Sequence, residues 1–404
     1  MQYGWSTGVR NDKRAMTTTD SIATASRRSA GAQARRVIFI DLARALAVVF
    51  MLYGHTVDAL LAPAYRTGVI FSAWQFQRGL TSCLFLLLSG FAFSIATARH
   101  WTSHLTISAA LFKRMRRFGL FIAIGYAMRV PVAPLSRMRE ASEADWRMLF
   151  GVDVLQLVGV TFLVVQVLVL ITRSRRVFSA VAIVIAAALL LTTPSTWAID
   201  WTGHLHPALA AYLTPNTGSQ FPLVPWAAFV LMGAALGQIY ARWGAANVTR
   251  YANLALLAPA LVVIAVGLYL SEYQSRVYGA TTYAWVPGNM LLRTGVCLLI
   301  VGVIAHASRR VHQLPHVFGA VAQESLLIYV LHLFIVFGSV FAPGFLNIYG
   351  PTLSPLQLLP LVAGLIAAMA VAAYGWNWLK HTHGRLVWWG SLAAGALLVV
   401  RLVR

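Results

Sequence analysis

The sequence predicts an all-α protein, a polytopic transmembrane helix bundle of about ten to eleven spans, on three observations. The 404 residues are 59% hydrophobic and 11% charged, with a mean hydropathy of +0.71, whereas soluble domains carry about a quarter of their residues as charges. Apolar runs close to the ~20 residues that cross a hydrocarbon core recur along the whole chain, separated by short polar segments. The net charge of +21 would mark a nucleic-acid binder in a soluble chain, but here the basic residues alternate loop by loop, as membrane topology requires. The expected partner is therefore the lipid bilayer and not nucleic acid.

Residues 1–36 are polar, rich in Ser, Thr, Ala and Arg, and have no apolar stretch that would serve as a signal core. They read as a disordered basic cytoplasmic tail ahead of a transmembrane domain over 37–404. Spans are expected at 37–61, 80–98, 118–132, 152–172, 177–193, 221–240, 251–270, 288–307, 325–341, 355–374 and 386–403. The first is interrupted by Asp41, Arg44 and His55; the third follows the basic run Lys113–Arg117; the fourth opens at Asp153, a residue suited to a helix start. With the tail inside, the tail and inner segments hold 21 of the 32 Lys and Arg, and the outer loops and outer span ends hold seven. That bias predicts a multi-pass protein of the inner or plasma membrane, with its amino terminus cytoplasmic and its carboxyl terminus outside.

Three predicted outer segments, 133–151, 194–220 and 271–287, carry Trp, Tyr, Asp, His and Asn in place of Lys. Such residues suit stacking and hydrogen bonding to carbohydrate, and equally serve as interfacial anchors. Cys83 and Cys297 each sit inside an apolar run, so no disulfide framework or CxxC motif is present. Asp200, His204 and His206 lack a helix-spaced ligand pair, and no metal is expected.

The first span is not a simple anchor, because ionisable groups at membrane depth face a cavity or a partner. Arg44 and His55 differ by only about 20° around the helix axis and are roughly 16 Å apart in height. One polar stripe thus runs along this helix. Asp58, three residues beyond His55, is placed to orient the imidazole or hold its proton. The bland alternative has Arg44 snorkelling and His55 bonding a carbonyl of a neighbouring helix.

Further along, Ser325, Tyr329 and His332 fall at i, i+4 and i+7 and form a second polar stripe, suited to the same cavity or to interhelical hydrogen bonds. The run Lys113, Arg114, Arg116, Arg117 is placed to bind phosphates, or to anchor the helix to anionic lipid. Ser89 and Gly90 permit close helix packing. Asp153 and Gln156 open a span on the outer side.

Asp41-x-x-Arg44 followed by ten residues and His55, the run Phe85-Leu-Leu-Leu-Ser-Gly-Phe91, and the basic cluster before the third span resemble the membrane acyltransferase type 3 family. Asp153–Gly159, Phe221–Trp226 and Ser325–His332 are similar to the heparan-α-glucosaminide N-acetyltransferase branch of that superfamily and its bacterial relatives. Ala45 stands where the family usually has Gly. The resemblance implies acyl-CoA, acetyl-CoA foremost, as cytoplasmic co-substrate, an extracytoplasmic glycan or glycolipid as acceptor, and a first-span histidine as catalyst. On that reading His55 is the catalytic base with Asp58 stabilising its imidazolium. Arg44, Ser89, Lys113, Arg114, Arg116 and Arg117 serve the donor, and Asp153, Gln156, Tyr329 and His332 the acceptor. A covalent acyl-histidine is the rival route. A transporter or flippase for an envelope glycan or small metabolite is the alternative function.

Overall fold

The computed structural model describes residues 37–279, 287–311 and 313–403. The chain divides into two units, Met1–Ile38 and Phe39–Arg404, and all described residues but Val37 and Ile38 belong to the second. The predicted basic tail, 1–36, and residues 280–286 of the third outer segment lie outside the described residues.

The described residues form helices joined by short turns, with no strand among them. The principal helices are α1 (Ile38–Leu60), α2 (Gly68–Arg99), α3 (Ala109–Met128), α4 (Val154–Thr172), α5 (Arg175–Leu191), α6 (Leu223–Ile239), α7 (Ala258–Tyr278), α8 (Pro287–Ala307), α9 (His316–Gln323), α10 (Ser325–Phe337), α11 (Pro355–Thr382) and α12 (Gly384–Val403). Each predicted span has a helix at its place. Among the described residues, seven helices are long and apolar enough to cross a bilayer, or eight if α9 and α10, bent by 75° at their junction, form one broken span. The expected ten to eleven included α3, α5 and α12, which fall outside that number. Lys113, Arg114, Arg116 and Arg117 lie within the first half of α3, and α5 is 17 residues long.

Local chemistry sets the helix ends. Ser108 accepts from Leu111 N–H at the start of α3, and Asp153 with Gln156, then Ser354 with Gln357, form reciprocal caps on α4 and α11. Helix α2 begins at Gly68 rather than near Leu80. Its polar residues Gln77 and Arg78 read as a loop in sequence, but the helix tolerates them because Arg78 faces Asp58 of α1.

The centre of the bundle is α2 against α6. A Cβ at Gly90 would overlap the Val230 carbonyl, and one at Gly233 would overlap the Leu87 carbonyl, so only glycine permits the two backbones to approach this closely. The start of α1 is held by Phe39, whose ring packs edge-on against Tyr240 and Phe91 at 5.5 and 5.9 Å between centroids. Its far end is tied down by Leu353 N–H to the Leu60 carbonyl and Ala62 N–H to the Leu353 carbonyl. These two anchors fix the height and rotation of the Arg44–His55 stripe.

Candidate active site

Arg44 and His55 project from α1 toward the broken α9–α10 pair. Arg44 donates through Nη2 to Ser325 Oγ at 2.9 Å, at the first residue of α10. Two turns further along α10, His332 lies with its ring centroid 5.3 Å from that of His55, and Phe337 closes the other side of His55 at 5.6 Å. The two polar stripes of the sequence are therefore one seam.

His332 is fully buried, whereas His55 retains partial exposure. The Nδ1 of His332 lies 2.8 Å from the Ile328 carbonyl, and its Nε2 has no partner among the described residues. A carbonyl accepts only, so Nδ1 carries the hydrogen and Nε2 is left as a bare lone pair. Such a nitrogen can receive an N–H from a protonated neighbour.

Tyr329 extends the constellation. Its ring meets His332 edge-on at 5.8 Å, and its hydroxyl donates to Asp153 Oδ1 at 3.3 Å. Asp153 caps α4 and lies 3.9 Å from Arg129 Nη1 at the end of α3. His55, His332, Tyr329, Asp153 and Arg129 thus converge from α1, α10, α4 and α3. Gln156 stays beneath, its carbonyl oxygen accepting from Asp153 N–H at 3.3 Å and its side chain filling the notch that Gly125 leaves. Its buried amide nitrogen has no partner among the described residues.

Other expected site residues are placed differently. Asp58 forms an ion pair with Arg78 of α2 and makes no hydrogen bond to His55. A full positive charge outcompetes a neutral imidazole for a carboxylate. Arg114 is committed internally, donating to Gln166 Oε1 at 3.1 Å and Thr97 Oγ1 at 2.7 Å while lying 4.3 Å over the Phe93 ring. Those contacts make it a structural tie between α2, α3 and α4 rather than an open phosphate ligand. Lys113, Arg116 and Arg117 are exposed. The Ser89 hydroxyl returns to the Phe85 carbonyl of its own helix at 2.8 Å, which leaves Gly90 to make the close contact with α6.

Asp200 caps the following turn, and the Thr202 hydroxyl and N–H hold its carboxyl below the usual range. His206 accepts through Nδ1 from Ala208 N–H at 3.2 Å. Both residues serve their own loop.

Arg129, Arg78 and Phe337 were not singled out in the sequence. One signal was available for the two arginines: they lie at predicted outer span ends, against the positive-inside bias, and an arginine there needs a local reason.

The family model described as Heparan-alpha-glucosaminide N-acetyltransferase, catalytic, matches residues 36–271. His55, Arg129 and Asp153 fall inside the matched stretch, whereas Tyr329 and His332 lie beyond it. Comparison with curated proteins and with solved structures finds no match.

Proposed function

The chain belongs to the heparan-alpha-glucosaminide N-acetyltransferase catalytic family of membrane enzymes, and from that premise we propose that it transfers an acyl group, acetyl foremost, from cytoplasmic acyl-CoA to a hydroxyl or amine of an extracytoplasmic glycan or glycolipid. The observation that carries this reading is the pairing of His55, partly exposed on α1, with the buried His332, whose Nε2 is bare.

In the proposed reaction acyl-CoA enters at the Arg44 end of the bundle, which is the cytoplasmic side on this reading. Its phosphates lie beside the exposed Lys113, Arg116 and Arg117, and its thioester extends past Arg44 and Ser325. His55 takes the proton of the acceptor O–H or N–H as that oxygen or nitrogen attacks the thioester carbonyl. The C–S bond then breaks, and the imidazolium returns its proton to the departing thiolate. While His55 is charged, His332 Nε2 accepts its second N–H, the stabilising role first expected of Asp58. Asp153 acts at one remove, holding Tyr329 against His332.

Purified wild-type protein in proteoliposomes, given labelled acetyl-CoA on one side and glucosamine on the other, is expected to form acetylated sugar. His55→Ala should abolish product while the protein inserts and elutes as the wild type does. Undiminished acetylation in that variant removes the mechanism. The 75° break between α9 and α10 favours one rival, a transporter or flippase, because discontinuous helices line transport sites. That rival expects sugar or acyl donor to cross the bilayer chemically unchanged.

A further inference from the structure

A basic cavity that neither the donor path nor the histidine pair uses opens at the Arg44 end of the bundle. The apolar span Val248–Val277, of which α7 is the greater part, begins there. Asn247, Thr249, Arg250, Asn253 and Leu254 line an open cavity of about 410 Å³, inside the range of about 300–1,000 Å³ usual for small-ligand sites. The turns over Ala252–Leu257 are π-helical, a local widening that recurs at functional sites.

The lining is rich in donors. Asn247 Oδ1 accepts from Arg250 N–H at 2.9 Å, so the helix start is already capped and the Asn247 NH2 group remains. Asn253 Oδ1 accepts from His306 Nε2 of α8 at 2.7 Å, which leaves the Asn253 NH2 group as well. An amide oxygen only accepts, so that Nε2 carries the hydrogen. His306 Nδ1 is then the acceptor for Arg309 Nη1 at 3.5 Å, and one imidazole ties Asn253 to a second guanidinium. Arg250 is exposed, and its guanidinium makes no hydrogen bond or ion pair among the described residues. No carboxylate lines the cavity among those residues. Two amide NH2 groups and an unpaired guanidinium, with a second positive charge alongside, match the oxygens of a phosphate.

Position decides which phosphate. Leu254 forms the apolar wall of the cavity, and further along the same span Leu261 and Leu268, seven residues apart, share one exposed face. In a bilayer that face meets acyl chains. A soluble phosphate gains nothing from an apolar track, whereas a lipid sets its headgroup among the donors and a chain along the leucines. The charge of Arg309 opposes a choline and admits a headgroup without a cation.

We propose that this cavity binds an anionic phospholipid, its phosphate held by Arg250, Asn247 and Asn253 and one acyl chain lying along Leu254, Leu261 and Leu268. The site does not depend on the transferase reading.

The test is native mass spectrometry of the full-length protein in detergent, titrated with dioleoyl phosphatidylglycerol or dioleoyl phosphatidylcholine. The wild type is expected to hold one phosphatidylglycerol about tenfold more tightly than phosphatidylcholine, and Arg250→Gln to lose about that factor, the worth of one charge-assisted hydrogen bond. Arg310→Gln removes the same charge from an exposed side chain that does not line the cavity, and should bind as the wild type does. Equal affinity of the wild type for the two lipids overturns the site. Equal losses in Arg250→Gln and Arg310→Gln overturn it too, because they reduce it to diffuse attraction by the basic surface. Displacement of phosphatidylglycerol by glycerophosphoglycerol or coenzyme A at concentrations no higher than the lipid's own overturns the lipid assignment in favour of a soluble phosphate.

Discussion

The two ends of the bundle pair their basic residues with carboxylates to different extents. At the His55 end, Arg78, Arg129, Arg147 and Arg276 face Asp58, Asp153, Glu143 and Glu272, while Arg66 donates to backbone carbonyls and Arg137 and Arg139 are exposed. At the Arg44 end, Lys113, Arg116, Arg117, Arg242, Arg250, Arg309 and Arg310 have no carboxylate partner among the described residues, while Lys380 meets Glu324. Paired arginines hold geometry and cast little field; unpaired ones leave a net positive surface that attracts anions. On the proposed reading, precise placement is needed where the acyl group is transferred, and attraction is needed where a polyanionic donor arrives.

The largest expected effect lies at the geometric end. His332→Asn keeps a polar group of similar size but removes the basic Nε2, and it should lower kcat for acyl transfer by about a hundredfold, within the range of general acid–base contributions. The acceptor KM should change much less. Equal losses in kcat and in folded yield would reduce His332 to a packing residue and dissolve the functional contrast between the ends.

Next comes Arg114, the one member of the basic run that behaves like the arginines of the other end. Arg114→Ala takes the donor from the buried Gln166 Oε1, removes one of the two hydrogen bonds at the Thr97 hydroxyl and removes the contact over Phe93. A loss of about 2–3 kcal/mol in stability follows from these lost contacts. The triple variant Lys113→Gln, Arg116→Gln, Arg117→Gln should leave thermal stability nearly unchanged. It should raise KM for acyl-CoA several-fold at low ionic strength and lose that difference by about 0.5 M salt. If the triple variant instead lowers Tm and spares KM, the run serves anchoring to lipid or packing.

Much of this was legible in the sequence because helical register is a local property. The Arg44–His55 stripe and the Ser325–Tyr329–His332 stripe both follow from spacing. That they meet depends on packing α1 against a helix some 280 residues away, which no local pattern encodes. Asp58 shows the same limit: spacing assigned it to His55, but Arg78 of the next helix supplies a stronger partner. The predicted span starts at 325, where α10 starts, but the polar run Gln323–Ser325 does not reveal that the short helix α9 precedes it at a 75° bend. The bend is legible only in space, where the nearly buried Glu324 carboxylate is held by Lys380 at 2.7 Å and Asn377 at 3.0 Å.

A smaller effect sharpens the comparison through pH. His104, in the turn between α2 and α3, is buried beneath the Arg44-end surface; its Nδ1 has no partner among the described residues, and its carbonyl accepts from Gln166 at 3.2 Å. Burial first, then the neighbouring Arg114 and His100, lowers its pKa from the ordinary 6.5 to about 4. The unfolded chain therefore binds a proton at higher pH than the folded one, so this contribution to stability is whole above pH 6.5 and is lost progressively as the pH falls toward 4. Tm in detergent should fall across that window, and His104→Gln, which cannot titrate there, should flatten the fall. Arg147, at the opposite end, forms an exposed i,i+4 pair with Glu143, so Arg147→Ala should change Tm by less than a degree or two at either pH, as a pair worth about 0.3–0.5 kcal/mol requires. A pH-dependent loss traced to Arg147 and absent at His104 would reverse the assignment of unbalanced charge to the Arg44 end.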